Sequence, residues 1–308
     1  MAKQGQFDLG SITGQIMGIV MREALRRADR AAEKMLLDAM SAKDRGERMD
    51  CVDALTHLDI LATAAVIRTL QRDLPWFDYV EGERVPYSER VREDGHKVWF
   101  SFSRVQGIDA FLGGRPAGLY SMISLIFDGK VIAAYVRDLC THKVYGFRPG
   151  SRVVHRITHN NKDEKLTINA AWPLSDQRLL NRGSDRSENM SLTQDLVGSD
   201  SPFRGSECVM DELPVESMTR LWNGEFGGML QRGGVLNPWD FPLMYGISRL
   251  LGFRFFFFDG EVMMCPFEPE IVKKPTLSPP SDLLVIHESR IQELEEWLSP
   301  RRSKLRLL

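Results

Sequence analysis

Apolar residues recur every three to five positions between residues 12 and 40, at Ile12, Ile16, Val20, Leu25, Ala28, Ala32, Met35 and Ala39, with Arg and Glu between them. That period predicts one long amphipathic helix, or two end to end. A charged stretch at 43–50 interrupts it, and a second helical pattern runs through Leu70 and stops near Pro75. The period then changes. Residues 98–102 are β-branched and aromatic, and apolar runs at 119–127 and 130–136 are joined by Asp128-Gly129, which predicts a strand followed by a β-hairpin. Residues 143–147 and 153–157 read as further strands, and 181–202, rich in Ser, Asp, Asn and Gly, as a mobile surface loop. An apolar helix is expected after Asp240, to about residue 251, and a buried strand at 253–258 ending on Asp259-Gly260. Beyond Pro266 come a Pro-rich linker at 273–280, a predicted helix at 281–298 docking through Leu284, Ile291, Leu294 and Leu298, and a basic tail at 301–306. A solvated terminus is the expectation for that tail, with contact to an acidic partner as the other reading.

The 308 residues, 43% apolar and 27% charged, suffice for a substantial core in one large or two closely packed domains. With 40 basic and 42 acidic residues, the net charge of −2 gives no electrostatic reason to expect nucleic-acid or membrane binding. Cys51, Cys140, Cys208 and Cys265 form no C-x-x-C pair, and the N-terminus shows no signal-peptide pattern. A cytoplasmic location is the expectation. No apolar run reaches membrane-spanning length.

Candidate chemistry is spread along the chain in short segments. Asp53-Ala54-Leu55-Thr56-His57-Leu58-Asp59 opens the second helical pattern, and Tyr79-Val80-Glu81-Gly82-Glu83-Arg84 follows it. Gly107 and Phe111 sit between strand and hairpin, and Arg204-Gly205-Ser206, Asn223-Gly224-Glu225-Phe226-Gly227 and Pro238-Trp239-Asp240 come later. In this order and at these separations the segments resemble the inositol monophosphatase superfamily, whose members carry W-x-x-D-P-x-D-G-T-x-x-F before such a hairpin and P-W-D downstream. The resemblance covers residues 12–267. It implies a mixed α/β fold, a layered α/β/α/β/α sandwich, with an α+β N-terminal half at 1–150 and an α/β C-terminal half at 151–267. Residues 268–308 are the linker, helix and tail. It also implies Mg²⁺ as cofactor, a small phosphorylated molecule as ligand, and a homodimer.

The same resemblance assigns candidate roles. Asp59 falls at the superfamily's D-x-V-T-x-x-D entry to its second helix, where a catalytic role stands beside helix capping. Glu83 falls at a metal-binding Glu. With Gly107 and Phe111 as anchors, the two metal-binding Asp positions fall on Ser103 and Gln106, the water-orienting Thr position on Ile108 and the Pro on Arg104. Asp109 is the nearby carboxylate, a candidate displaced ligand. Gly107, Gly205, Ser206 and Arg104 are candidate substrate-binding residues, Arg104 through a guanidinium able to pair with phosphate. Asp240 is a candidate metal ligand, with helix capping as its equal alternative. His155 and His159 are spaced i, i+4, but their segment reads better as a strand than as a metal-binding helix.

Mg²⁺ takes oxygen ligands in tight octahedral geometry and draws its affinity from carboxylate charge. Ser103 and Gln106 offer oxygen without charge, so Mg²⁺ binding is expected to be weak or absent. The expected function is a catalytically impaired or altered inositol monophosphatase-like protein that binds a small phosphorylated ligand or a protein partner. The alternative is an active metal-dependent phosphomonoesterase of an inositol, sugar or nucleotide phosphate, with a rearranged site using Glu83, Asp109 and Asp240.

Overall fold

The computed structural model describes residues 12–44, 51–75, 78–81, 98–108, 110, 118–169, 171–183, 195–199, 201–210, 212–231, 240–259, 263–266 and 282–305. The chain divides into two compact units: Met1–Lys165 with Ile271–Lys273, and Leu166–Glu270 with Lys274–Leu308.

The first unit is built on two helices and a seven-stranded sheet. α1 is a single helix, Gly14–Asp44, and α2 runs Cys51–Asp73. Their inward stripe is Met17, Met21, Ala24, Leu25, Ala28 and Ala32 against Leu58, Ala62, Val66 and Leu70. The stripe runs one residue later than expected at its start, since Met17 is fully buried and Ile16 is half-exposed. α2 begins at Cys51 because the apolar period continues unbroken upstream of Asp59. Asp59 therefore lies in the third turn of α2, which corrects the capping reading; its side chain is outside the described residues.

The strands of this sheet follow in chain order, β1 Asp78–Glu81, β2 Val98–Gln106, β3 Tyr120–Phe127, β4 Lys130–Asp138, β5 Val144–Phe147, β6 His155–Ile157 and β7 Asp163–Lys165. β1 pairs parallel to β2, and every later pair is antiparallel. The β3–β4 turn has Asp128 at φ 48° and Gly129 at φ 70°. Two left-handed residues give the turn the twist that neighbouring antiparallel strands share, which is why Asp-Gly sits there. His155 and His159 do not share a helix face: His155 is on β6, its Nδ1 2.6 Å from Asp163 Oδ1, and His159 is in the β6–β7 turn.

Behind the sheet, on the helix side, α1 carries a buried acid. Asp29 is 1% exposed, accepts a hydrogen bond from Ser121 Oγ at 2.8 Å and pairs with Arg137 on β4. Burial pushes its carboxyl up to about 7, against the opposing pull of the Ser121 hydroxyl and the Arg137 charge. Desolvation wins here because the surrounding surface is apolar core.

The second unit has a six-stranded sheet in the order β12-β11-β13-β10-β8-β9. β8 is Arg178–Arg182, β9 Gly205–Val209 and β10 Gly228–Gln231; β8 pairs parallel to both of the others. β11 Phe253–Asp259, β12 Met263–Pro266 and β13 Leu283–His287 are antiparallel neighbours. Its helices are α3 Pro214–Trp222, α4 Phe241–Leu250 and α5 Ile291–Leu305.

Two expectations fail in this unit. Residues 281–298 are not one helix, because Leu283-Leu284-Val285-Ile286 is a continuous apolar run buried between β11 and β10, the signature of a central strand. Helix begins only at Ile291 and continues through the basic segment to Leu305. The docking residues nevertheless hold, since Leu284, Leu294 and Leu298 are in one core cluster with Ile291 packed against it. The predicted loop at 181–202 also shrinks. Asn181 and Arg182 end strand β8, and Leu196 is fully buried in that core.

Candidate functional site

β2 runs past the predicted residue 102 to Gln106, and this extension shapes the central turn. Ser103 pairs with Met122 and Gln106 with Tyr120, so three residues on β2 span what two span on β3. That is a β-bulge, which re-aims the side chains after it. Phe100 and Phe102 point into the helix-side core, and after the bulge Val105 does so as well. Ser103 and Gln106 are thereby brought to the same, opposite face. Gln106 Nε2 lies 3.5 Å from Ser103 Oγ, a long hydrogen bond between a buried hydroxyl and a half-buried amide.

Gly107 follows at φ 89°, a left-handed conformation that a side chain would strain. Ile108 is 5% exposed and packs into the helix-side core with Phe102 and Val105. It presents no hydroxyl and belongs to the hydrophobic interior. Glu83 and Asp109 lie outside the described residues, as does the side chain of Arg104.

In the second unit, Gly205 opens β9 with empty space where a Cβ would stand, and Ser206 Oγ donates to the Val197 carbonyl at 3.3 Å. Asp240 stands at the N-cap of α4 and is 2% exposed, yet its side chain makes no capping hydrogen bond. The capping reading of Asp240 therefore fails, although Pro242 sits in the first turn as expected.

The chemistry of the donor set tests whether a magnesium pair fits. In the central turn the described donors are one hydroxyl and one amide, both neutral, with an apolar residue at the third position. A hard divalent cation needs charged oxygens, so these residues do not fit it. Among the described residues, no group of three or more His, Cys, Asp or Glu side chains is placed to hold a metal ion.

The sequence matches no protein-family profile and no curated protein. The structure does have relatives. Inositol monophosphatase-II from Staphylococcus aureus MSSA476 superposes with a TM-score of 0.66 over 94% of this chain and 96% of that one, at 15% identity. The chain has the inositol monophosphatase fold. CysQ from Bacteroides thetaiotaomicron, a bacterial member of the inositol monophosphatase family, matches at 0.62 over 88% of this chain and 97% of its own, at 13% identity. SuhB of Mycobacterium tuberculosis matches at 0.58 over 92% and 96%, at 17% identity. Two further matching structures are of SaIMPase-II, one bound to inositol monophosphate and one to 2′-AMP.

For an inositol monophosphatase fold, the second unit also holds an ionic network that the sequence reading missed. Arg220 bonds to Glu207 at 2.6 Å, Glu212 at 3.0 Å and Glu225 at 3.1 Å, and Arg178 reaches Glu207 at 2.9 Å. Both guanidinium groups stand over the Phe226 ring, at 5.1 and 4.7 Å. These charges are mutually satisfied. Arg182, at the end of β8, is held differently, with bonds to the Glu212 carbonyl and the Gln231 side chain. Its sequence signal was the apolar pair Leu179-Leu180 before it, which marks a strand where loop composition alone was read. No helix among the described residues is long and apolar enough to cross a membrane.

Proposed function

We propose that this protein uses the inositol monophosphatase scaffold to bind a small phosphorylated molecule, with metal-dependent hydrolysis lost or strongly reduced. The observation that carries this reading is the central turn: a neutral Ser103–Gln106 pair and a core-packed Ile108, where the resemblance puts two carboxylates and a water-orienting hydroxyl. Two-metal phosphoryl transfer needs a charged clamp on the attacking and leaving oxygens. The described donors of this turn supply no such charge. A phosphorylated ligand, rather than a protein partner, is favoured because SaIMPase-II, of the same fold, is seen with inositol monophosphate and with 2′-AMP. A cytoplasmic place fits the exposed free thiol of Cys208.

Calorimetric binding and phosphate release are to be measured on one panel of inositol, sugar and nucleotide monophosphates, with and without Mg²⁺. Binding without release is the expected result. Robust turnover ends this reading in favour of a rearranged metal site, whose proposed ligands Glu83 and Asp109 lie outside the described residues.

A further inference from the structure

Arg182 is the last residue of β8, which runs parallel to both β9 and β10. Ligand crevices in α/β sheets form at the carboxyl ends of parallel strands. At this end Gln231 closes β10, and Glu212 stands one residue before the N-cap of α3, Leu213.

A guanidinium has five N–H donors. Three are committed here: Nε and one from Nη2 go to the Glu212 carbonyl oxygen at 3.1 and 3.0 Å, and one from Nη1 goes to Gln231 Oε1. Every one of these acceptors is uncharged. The Glu212 carboxylate, whose charge does act on Arg182, is itself bonded to Arg220 Nη1 at 3.0 Å and to Ser217 Oγ at 2.8 Å. Burial works against the Arg182 charge and pulls its pKa below the ordinary value. A half-buried permanent cation is thus held in place by neutral groups, with one N–H left on each terminal nitrogen. Two such donors reach two oxygens of one phosphoryl group.

We infer that Arg182 is the cationic anchor for the phosphoryl group of the ligand, a positive charge positioned entirely by residues of the second unit. This rests on the proposed function and extends it to a residue and a ligand group. The Glu212 carbonyl and Gln231 act as positioning groups, fixing the guanidinium plane so that little freedom is lost on binding.

The test is calorimetric titration of full-length protein with inositol monophosphate, 2′-AMP and inorganic phosphate, in the presence of EDTA. Wild type, Arg182→Gln and Arg182→Lys are compared. Charge-assisted bonds of this kind predict a loss of about ten- to a hundredfold in Arg182→Gln. Arg182→Lys keeps the charge but loses the fork, so it recovers part of the affinity and not all of it. Unchanged affinity in either folded variant overturns the assignment and leaves the proposed function standing. Wild type that binds none of the three probes overturns both. Should neither variant fold, the Arg182 Nε–H resonance of wild type decides: a shift on adding inositol monophosphate supports the anchor, and an unmoved resonance refutes it.

Discussion

Asp29 should make this protein less stable as pH rises through neutrality, opposite to the usual effect of a paired carboxylate. The perturbation is Asp29→Asn. Asn keeps an oxygen for the Ser121 hydroxyl at nearly the same volume and removes only the charge that faces Arg137. The Asp29 carboxyl moves from an ordinary 3.8 to about 7 in the folded protein. At about 1.4 kcal/mol per tenfold step, that is about 4 kcal/mol in all. The folded state holds the proton more tightly than the unfolded chain. This stabilisation is therefore complete below pH 3.8 and is lost as pH climbs through about 7, with over half of the loss between pH 5 and 8. Urea unfolding of wild type and variant at pH 5, 6.5 and 8 measures it. Glu23, Asp73 and Glu164 are shifted the other way by their Arg and Lys partners, so they oppose the trend, and they cancel in the difference between the two proteins. Wild-type stability minus variant stability should fall by about 2 kcal/mol from pH 5 to pH 8. A difference that stays level or grows would mean that the Arg137 pair keeps Asp29 ionised against its burial, and the reasoning fails.

Three further outcomes are expected. Ile108→Thr places a hydroxyl among Phe102, Val105 and the helix side chains, and should cost about 1–3 kcal/mol by urea unfolding without producing phosphate release, because Ser103 and Gln106 stay neutral. Gly146→Ala should cost about 2–4 kcal/mol, since its Cβ would stand 2.3 Å from the Ala134 carbonyl oxygen across the β4–β5 pair, whereas Gly205→Ala, with open space around it, should stay within about 0.5 kcal/mol. Glu293→Ala should lower the unfolding free energy by about 1–2 kcal/mol, because the Glu293 carboxylate at the start of α5 accepts the Leu174 N–H with both oxygens, at 2.9 and 3.0 Å.

The fold was legible where the residue pattern had one structural meaning. The α1 stripe, the Asp128-Gly129 hairpin and the aromatic strand at Phe253 each combine a period or turn with matching residue types, and each formed. Residues 281–298 misled because Leu283-Leu284-Val285-Ile286 joins smoothly in composition to the helix after it; only the neighbours β10 and β11, distant in sequence, make it a strand. The central turn was half legible. Its substitutions are plain in the sequence, but the bulge that brings Ser103 and Gln106 to one face depends on pairing with β3. Arg182 and the Asp29–Arg137 pair were out of reach for the same reason: their partners lie on other elements, 30 residues or more away for the Glu212 carbonyl, 49 for Gln231 and 92 for Ser121 with Asp29.

The proposed function requires that the turn carrying Ser103, Gln106 and Ile108 does not gather divalent cations. Calorimetric titration of the full-length protein with Mg²⁺, and with Mn²⁺ as the tighter-binding control, tests it most directly. No saturable binding is expected at millimolar concentration. Saturable uptake of two ions, abolished when Ser103 and Gln106 are replaced by Ala, would contradict it.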